Sequence, residues 1–233
     1  WKMTFENFVG DPYHVITTHR STVELGISRP NHPQRKGYQI VLGNGHGINI
    51  TMFDELPEHP YQRLPESVWP MIKRNLTPEQ HHIVSHGSIF VGGIFPTLSF
   101  LDATHNGCNY ITLRLWRPIA PDKVEIWSWF LVDKVLPEEY KEKARKGYIS
   151  AFGTSGTLEQ DDTEMWARIV QASKGLMVRD RELNYNNVSN YLMGIERVKP
   201  DPNFIGPGEA YPNLVDAVSR SVQAYWFKLL TEA

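Results

Sequence analysis

Residues 1–9 (WKMTFENFV) alternate loosely between apolar and polar and predict a strand. Residues 10–20 (GDPYHVITTHR) predict a short helix, with Asp11 as its cap and Pro12 at a first helical position. Residues 28–36 (SRPNHPQRK) read as a loop. Two β-like runs, 37–42 and 48–53, flank Gly43-Asn44-Gly45-His46-Gly47, a hairpin signal. Pro57, Pro60, Pro65 and Pro70 make 54–70 a long surface loop with at most short helical turns. Thr77-Pro78-Glu79-Gln80 opens a helix over 77–84. Three β-rich stretches follow, at 87–101, 109–117 and 123–134. Residues 137–147 then predict an exposed helix ended by Gly147, and 160–174 an amphipathic helix with acids at its start. Residues 213–231 predict a final helix with Leu214, Val215, Val218, Val222, Trp226, Leu229 and Leu230 on one face.

The order is strand, helix, many strands, then helices. No β-α-β alternation appears, so a doubly wound parallel sheet is excluded. The expected class is α+β, a curved antiparallel sheet covered by helices around an apolar cavity. The 233 residues suit a single domain, 1–233, and 41% hydrophobic with 21% charged residues places the chain among globular proteins. A net charge of −2 gives no field that would favour nucleic acid or an anionic membrane. The lone Cys108 excludes an internal disulfide and a cysteine-rich metal or iron–sulfur site within this chain. No apolar run approaches the roughly 20 residues of a membrane span.

All nine histidines fall between His14 and His105, so a histidine-based site draws on the first half of the chain. His14 and His19 are five apart, about 140° around a regular helix. To share a metal, the backbone must bend or loosen after His14. Leu158-Glu159-Gln160-Asp161-Asp162 supplies two adjacent acids at a predicted helix start. Such a pair commonly caps a helix. One of these carboxylates with two imidazoles, however, makes a facial triad that leaves positions open on one side of Fe(II), as dioxygen activation needs. His46 in its glycine-rich turn, and His81, His82 and His86, read as solvated polar residues; no Glu follows His82 as a hydrolytic His-Glu-x-x-His motif requires. Cys108 reads as a loop cysteine.

Several segments run in order along nearly the whole chain: Glu6-Asn7-Phe8-Val9-Gly10-Asp11-x-Tyr13-His14-x4-His19-x-Ser21, Phe95-Pro96-Thr97-Leu98-Ser99-Phe100, Leu113-Arg114-Leu115-Trp116-Arg117-Pro118, Phe152-Gly153 with Leu158-Glu159-Gln160-Asp161-Asp162, and Gly206-Pro207-Gly208-Glu209-Ala210-Tyr211. Together they resemble the catalytic domain of the large (alpha) subunit of aromatic-ring-hydroxylating dioxygenases, the Rieske non-haem iron oxygenases. Among these, the enzymes acting on polycyclic aromatic hydrocarbons are the nearest in pattern.

The resemblance implies a helix-grip (Bet v 1-like) fold. It implies Fe(II) held by His14, His19 and Asp162, with Asp161 a neighbour or cap. Asp11 matches the bridging aspartate that accepts the His14 imidazole N–H and relays electrons from the adjacent subunit's cluster. Asn7 matches a residue close behind the iron, and Phe8, Val15, Phe152 and Leu158 match the substrate pocket. The implied reaction adds both atoms of O2 to an aromatic, polycyclic hydrocarbon, giving a cis-dihydrodiol. Electrons come from a Rieske [2Fe–2S] cluster, itself fed from NAD(P)H through a reductase and ferredoxin. The implied partners are a beta subunit and other alpha subunits in an α3β3 assembly, with no nucleic acid and no membrane, in the cytoplasm. The two Cys and two His that hold a Rieske cluster have no match here. The chain is therefore expected to be a piece of a longer subunit, inactive alone. Two other readings compete: a metal-free helix-grip module that binds apolar ligands, and a zinc hydrolase using the same triad, which lacks an evident general base.

Overall fold

The computed structural model describes residues 1–12, 14–25, 36–176, 198–213 and 215–232. Nearly all of the predicted 28–36 loop, together with Leu214, lies outside them. Strands β1 (Lys36–Gly43), β2 (His46–Met52), β3 (Gly87–Ile94), β4 (Leu98–His105), β5 (Cys108–Ala120), β6 (Lys123–Leu131) and β7 (Glu209–Pro212) form one sheet in the order β6-β5-β4-β3-β2-β1-β7. Every neighbouring pair is antiparallel. The helices are α1 (Lys2–Gly10), α2 (His14–Thr17), α3 (Arg20–Glu24), α4 (Trp69–Asn75), α5 (Pro78–His86), α6 (Glu138–Phe152), α7 (Thr157–Ser173) and α8 (Ala217–Thr231). The class is α+β, as expected.

Sheet parity decides where the helices sit. Val41, Gly47, Gly93, Ser99, Arg114 and Ser128 lie in register across six strands and share one face. Gly47 and Gly93 are direct cross-strand partners. A Cβ on Gly47 would stand 2.3 Å from Val218, and one on Gly93 2.5 Å from the Phe5 ring. The paired glycines thus open a trough that admits α1 and α8. Phe5, Val9 and Val218 are fully buried there, and each such side chain contributes about 1.5–3 kcal/mol. Tyr148 of α6 reaches Ser128 on the same face (2.7 Å). The opposite face is covered at the β1–β3 end by Phe204 and Ile83. At the β5–β6 end it leaves Ile111, Trp127, Trp129 and Leu131 exposed.

Several sequence expectations are corrected. Residues 1–9 are not a strand: α1 occupies 2–10. Phe5, Phe8 and Val9 are spaced i, i+3, i+4, a helical stripe whose three members are all buried. The helix stops before Pro12, which disfavours helical backbone at Asp11 (φ −109°, ψ 82°). The single helix over 10–20 is instead α2 and α3 separated by a turn at Thr18–His19. The stretch 87–101 is two strands, because Pro96 cannot donate to a ladder and the chain turns between Ile94 and Leu98. The third stretch ends at Leu131, not 134. Helix α6 runs through Gly147 to Phe152. Gly147 is there for contact, since a Cβ would lie 2.9 Å from the His105 carbonyl oxygen. On α8, Val218 and Val222 are buried, but Leu229 and Leu230 are exposed. The remaining hairpin and helix predictions stand; α5 carries the full capping box between Thr77 and Gln80.

Candidate metal centre

After the stop at Asp11, His14 opens the short helix α2 and His19 lies in the turn between α2 and α3. The Asp11 carboxylate accepts the His14 main-chain N–H (3.2 Å), which caps α2 as predicted. The Thr18 N–H closes the turn onto the His14 carbonyl (2.6 Å). Helix begins afresh after His19, whose carbonyl accepts from the Thr22 main chain (3.1 Å) and hydroxyl (2.7 Å). This break is the irregular backbone that a shared site demanded. It brings the two rings to 5.1 Å between centroids, with their planes at 76°.

Asp162 comes from the second turn of α7. Its Oδ1 lies 3.7 Å from His14 Nε2 and 3.3 Å from His19 Nε2. The ligand atoms of His14, His19 and Asp162 all fall within 4.8 Å of one another. Among the described residues this is the group of His, Cys, Asp or Glu side chains that converges so. Asp162 Oδ1 is buried and accepts no hydrogen bond, an arrangement that is costly for a carboxylate unless a cation completes it.

The outer nitrogens fix the tautomers. His14 Nδ1 is 2.5 Å from the main-chain carbonyl of Asp11. A carbonyl only accepts, so Nδ1 carries the proton and Nε2 presents a lone pair toward Asp162. The expected Asp11 contact therefore exists in altered form. The orienting bond uses the carbonyl, while the nearer approach of the carboxylate to Nδ1 is 3.7 Å. His19 Nδ1 faces the Asp161 carboxylate at 3.4 Å. Burial disfavours the His19 imidazolium, but the Asp162 and Asp161 carboxylates outweigh it and hold its pKa above the ordinary value. Asp161 is thus not a helix cap; α7 is capped by Gly156.

The other expected residues are placed as follows. Asn7 lies on α1, its Oδ1 buried without a hydrogen-bond partner. Phe8, Phe152 and Leu158 belong to one apolar cluster, whereas Val15 stands half-buried on α2 outside it. A surface cleft lined by Trp1, Lys2, Pro118, Ile119 and Trp226 contains none of them. His46 accepts from the Phe95 N–H, His81 bonds Tyr61, and His86 Nδ1 bonds the His82 carbonyl; all three are half-buried, and His82 is exposed. Cys108 is buried at the start of β5.

Four residues near the site went unread in the sequence. Arg114 is wholly buried, and its Nη1 donates to Glu159 Oε2 (2.5 Å) one helical turn before Asp162. The Tyr110 hydroxyl is hydrogen-bonded to His105 Nδ1 (2.6 Å), and His105 packs edge-on to Phe152. Burial, reinforced by His19, lowers the His105 pKa to about 4, so its ring is neutral near pH 7. The signal for Arg114 was present: on β5 it alternates inward with Thr112 and Trp116, a charge at a core position.

Comparisons with known proteins show a likeness over nearly the whole chain. A family profile described as "Ring hydroxylating alpha subunit (catalytic domain)" matches residues 1–209. The alpha subunit of benzene 1,2-dioxygenase from Pseudomonas putida is 31% identical over 250 residues, covering 99% of this chain and 51% of that protein. The alpha subunit of N,N-dimethyl phenylurea N-demethylase from Sphingobium sp. (strain YBL2) is 28% identical, covering 91% of this chain and 48% of that protein. The crystal structure of naphthalene 1,2-dioxygenase from Rhodococcus sp., bound to indole, superposes with a TM-score of 0.88 at 40% identity, covering 99% of this chain and 53% of that one. The chain thus spans about half the length of the relatives it matches. Among its described residues, no helix is long and apolar enough to cross a membrane.

Proposed function

The chain belongs to the ring-hydroxylating alpha-subunit catalytic-domain family, and from that premise we propose that it is the oxygenase part of a Rieske non-haem iron dioxygenase acting on an aromatic, polycyclic hydrocarbon. The carrying observation is the convergence of His14 Nε2, His19 Nε2 and Asp162 Oδ1. Two neutral imidazoles and one carboxylate are a donor set for Fe(II) that leaves coordination positions open, and the unpartnered Asp162 oxygen fits such an ion. Bound there, ferrous iron would supply dioxygen activation.

The chain's own residues do the rest. The Asp11 carbonyl holds the proton on His14 Nδ1, and Asp161 holds that on His19, so both Nε2 lone pairs point inward. Phe8, Phe152 and Leu158 offer an apolar wall. A flat arene gains about 25 cal/mol per Å2 buried against such a surface and needs few polar contacts. The Asp11 side chain is 35% exposed, which suits a relay to a Rieske [2Fe–2S] cluster carried outside these residues. The product is a cis-dihydrodiol. NAD(P)H, a reductase and a ferredoxin supply electrons, and beta and further alpha subunits complete an α3β3 assembly in the cytoplasm.

Anaerobically purified protein should contain about one iron per chain, and its absence would leave the metal-free apolar carrier as the surviving reading. Supplied with ferredoxin, reductase and 18O2, a full-length subunit containing this chain should put two labelled atoms on adjacent carbons of naphthalene. Oxidative loss of a methyl group from an aryl dimethylamine, with no ring diol, would move the assignment toward the demethylase relative.

A further inference from the structure

One strong pair of charges is used by nothing above. Arg114 is fully buried, and Glu159 is 8% exposed. The guanidinium lies 5.0 Å from the Phe8 ring, 5.1 Å from Phe152 and 5.8 Å from Trp116. Its Nη2 reaches the Phe152 carbonyl at 3.5 Å, at the C-terminal end of α6. One side chain of β5 therefore touches α1, the end of α6 and the start of α7.

Stability does not explain it. Desolvating both ions offsets most of their attraction, and apolar groups of similar volume would serve a core as well. Position explains more. Glu159 and Asp162 are three residues apart on α7, so their carboxylates sit on neighbouring stripes of one helix face. They sense each other electrostatically, although burial is the larger influence on Glu159. Arg114 keeps a buried Nε, and Asp162 a buried Oδ1, and neither atom makes a hydrogen bond. A guanidinium with a spare donor is thus tied to Glu159, one helical turn along α7 from a carboxylate with spare lone pairs.

We propose that Glu159 is a positioning residue: by occupying Arg114 it keeps Asp162 from being drawn into an ion pair and leaves the Asp162 oxygen aimed at the two histidines. This rests on the triad being a metal site. Without Glu159, the buried cation takes Asp162 as its counter-ion, and a metal must compete with Arg114 for the same oxygen. Removing both charges of the pair abolishes that competition.

The test is a cycle of Glu159→Gln, Arg114→Met and the double variant in the whole chain, with Co(II) titrated as a spectroscopic stand-in for Fe(II) and circular dichroism as the fold control. Glu159→Gln should weaken Co(II) binding by about 10- to 100-fold and alter its visible absorption. The double variant should regain affinity to within a few-fold of the parent, with the parental spectrum. Parental affinity in Glu159→Gln overturns the proposal. So does a double variant as weak as Glu159→Gln, since both changes would then act only on packing. If Glu159→Gln does not fold, the double variant decides: parental affinity and spectrum uphold the proposal, and weak binding overturns it. Failure of the unmodified chain to bind Co(II) or Fe(II) would instead sink the metal site itself.

Discussion

His14 opens a helix of four residues and His19 stands in the turn that follows it, whereas Asp162 stands in the second turn of a helix of 17 residues. The two arms reach the same point by different means. The histidine arm is oriented locally: the Asp11 carbonyl three residues upstream fixes one ring, and the Thr18–His19 turn aims the other. The acid arm is oriented from a distance, through Arg114 on the sheet and Glu159 on the helix. A local main-chain bond survives most side-chain substitutions, while a long-range ion pair depends on two particular side chains. The acid arm should therefore be brittle to substitution and the histidine arm tolerant, except at the ligands themselves.

The largest effect expected is at the point where the arms meet. Asp162→Ala should reduce iron to background by elemental analysis while the circular dichroism spectrum is retained. Retained stoichiometric iron would show that the acid arm is not part of the site. Asp11→Ala comes next and separates two roles of one residue. Its main-chain carbonyl remains, so iron content should hold near one per chain. Turnover by a full-length subunit supplied with ferredoxin and reductase should nonetheless fall by orders of magnitude, because the carboxylate is lost. Unchanged turnover would remove the relay role, and loss of iron would show that the carboxylate, not the carbonyl, orients His14.

A smaller effect tests the floor under the histidine arm. Helix α1 enters the sheet only because Gly47 and Gly93 leave space for Phe5, Val9 and Val218. Gly93→Val should destabilise the chain by about 1–3 kcal/mol, an overpacking cost read as a lower denaturant midpoint. A midpoint equal to the parent's would mean that α1 can shift without loss.

How much of this could be read from the residues follows the same division. The antiparallel α+β class, the Gly43–Gly47 hairpin and the start of α5 at Thr77 are legible because each rests on local pattern, whereas the pairing of β7 with the distant β1 has no local signal. The first segment is ambiguous because Trp1, Met3 and Phe5 fit an alternation while Phe5, Phe8 and Val9 fit a helical stripe; packing against the Gly47–Gly93 trough decides between them. The triad residues were legible as types, and their segments carry a specific resemblance. The Asp11 carbonyl was invisible to a reading that considers side chains alone. Arg114 and Glu159 were hidden for the opposite reason: their partnership spans 45 positions, and nothing local pairs them.

The finest test of the contrast is acidity, because the two histidines meet protons under different conditions. His19 faces two carboxylates, Asp162 and Asp161, and its pKa is held above the ordinary value of 6.5. In the metal-free chain this raised pKa contributes stability that is fully present below about 6.5 and is lost as pH rises through the folded value. A metal needs the neutral ring, so the same protonation opposes binding. On acidification the metal-free chain should therefore gain from His19 while metal affinity falls, by about tenfold per pH unit once the ring is mostly protonated. Asp161→Asn removes one of the two charges that favour the imidazolium. The fall in affinity should then begin at lower pH, and the two profiles should converge on the alkaline side, once His19 is neutral in both proteins. Calorimetric titration with Co(II) from pH 6 to 8 reads both quantities. An unmoved pH profile in Asp161→Asn would show that Asp162 alone sets the His19 proton, leaving Asp161 without a part in the site.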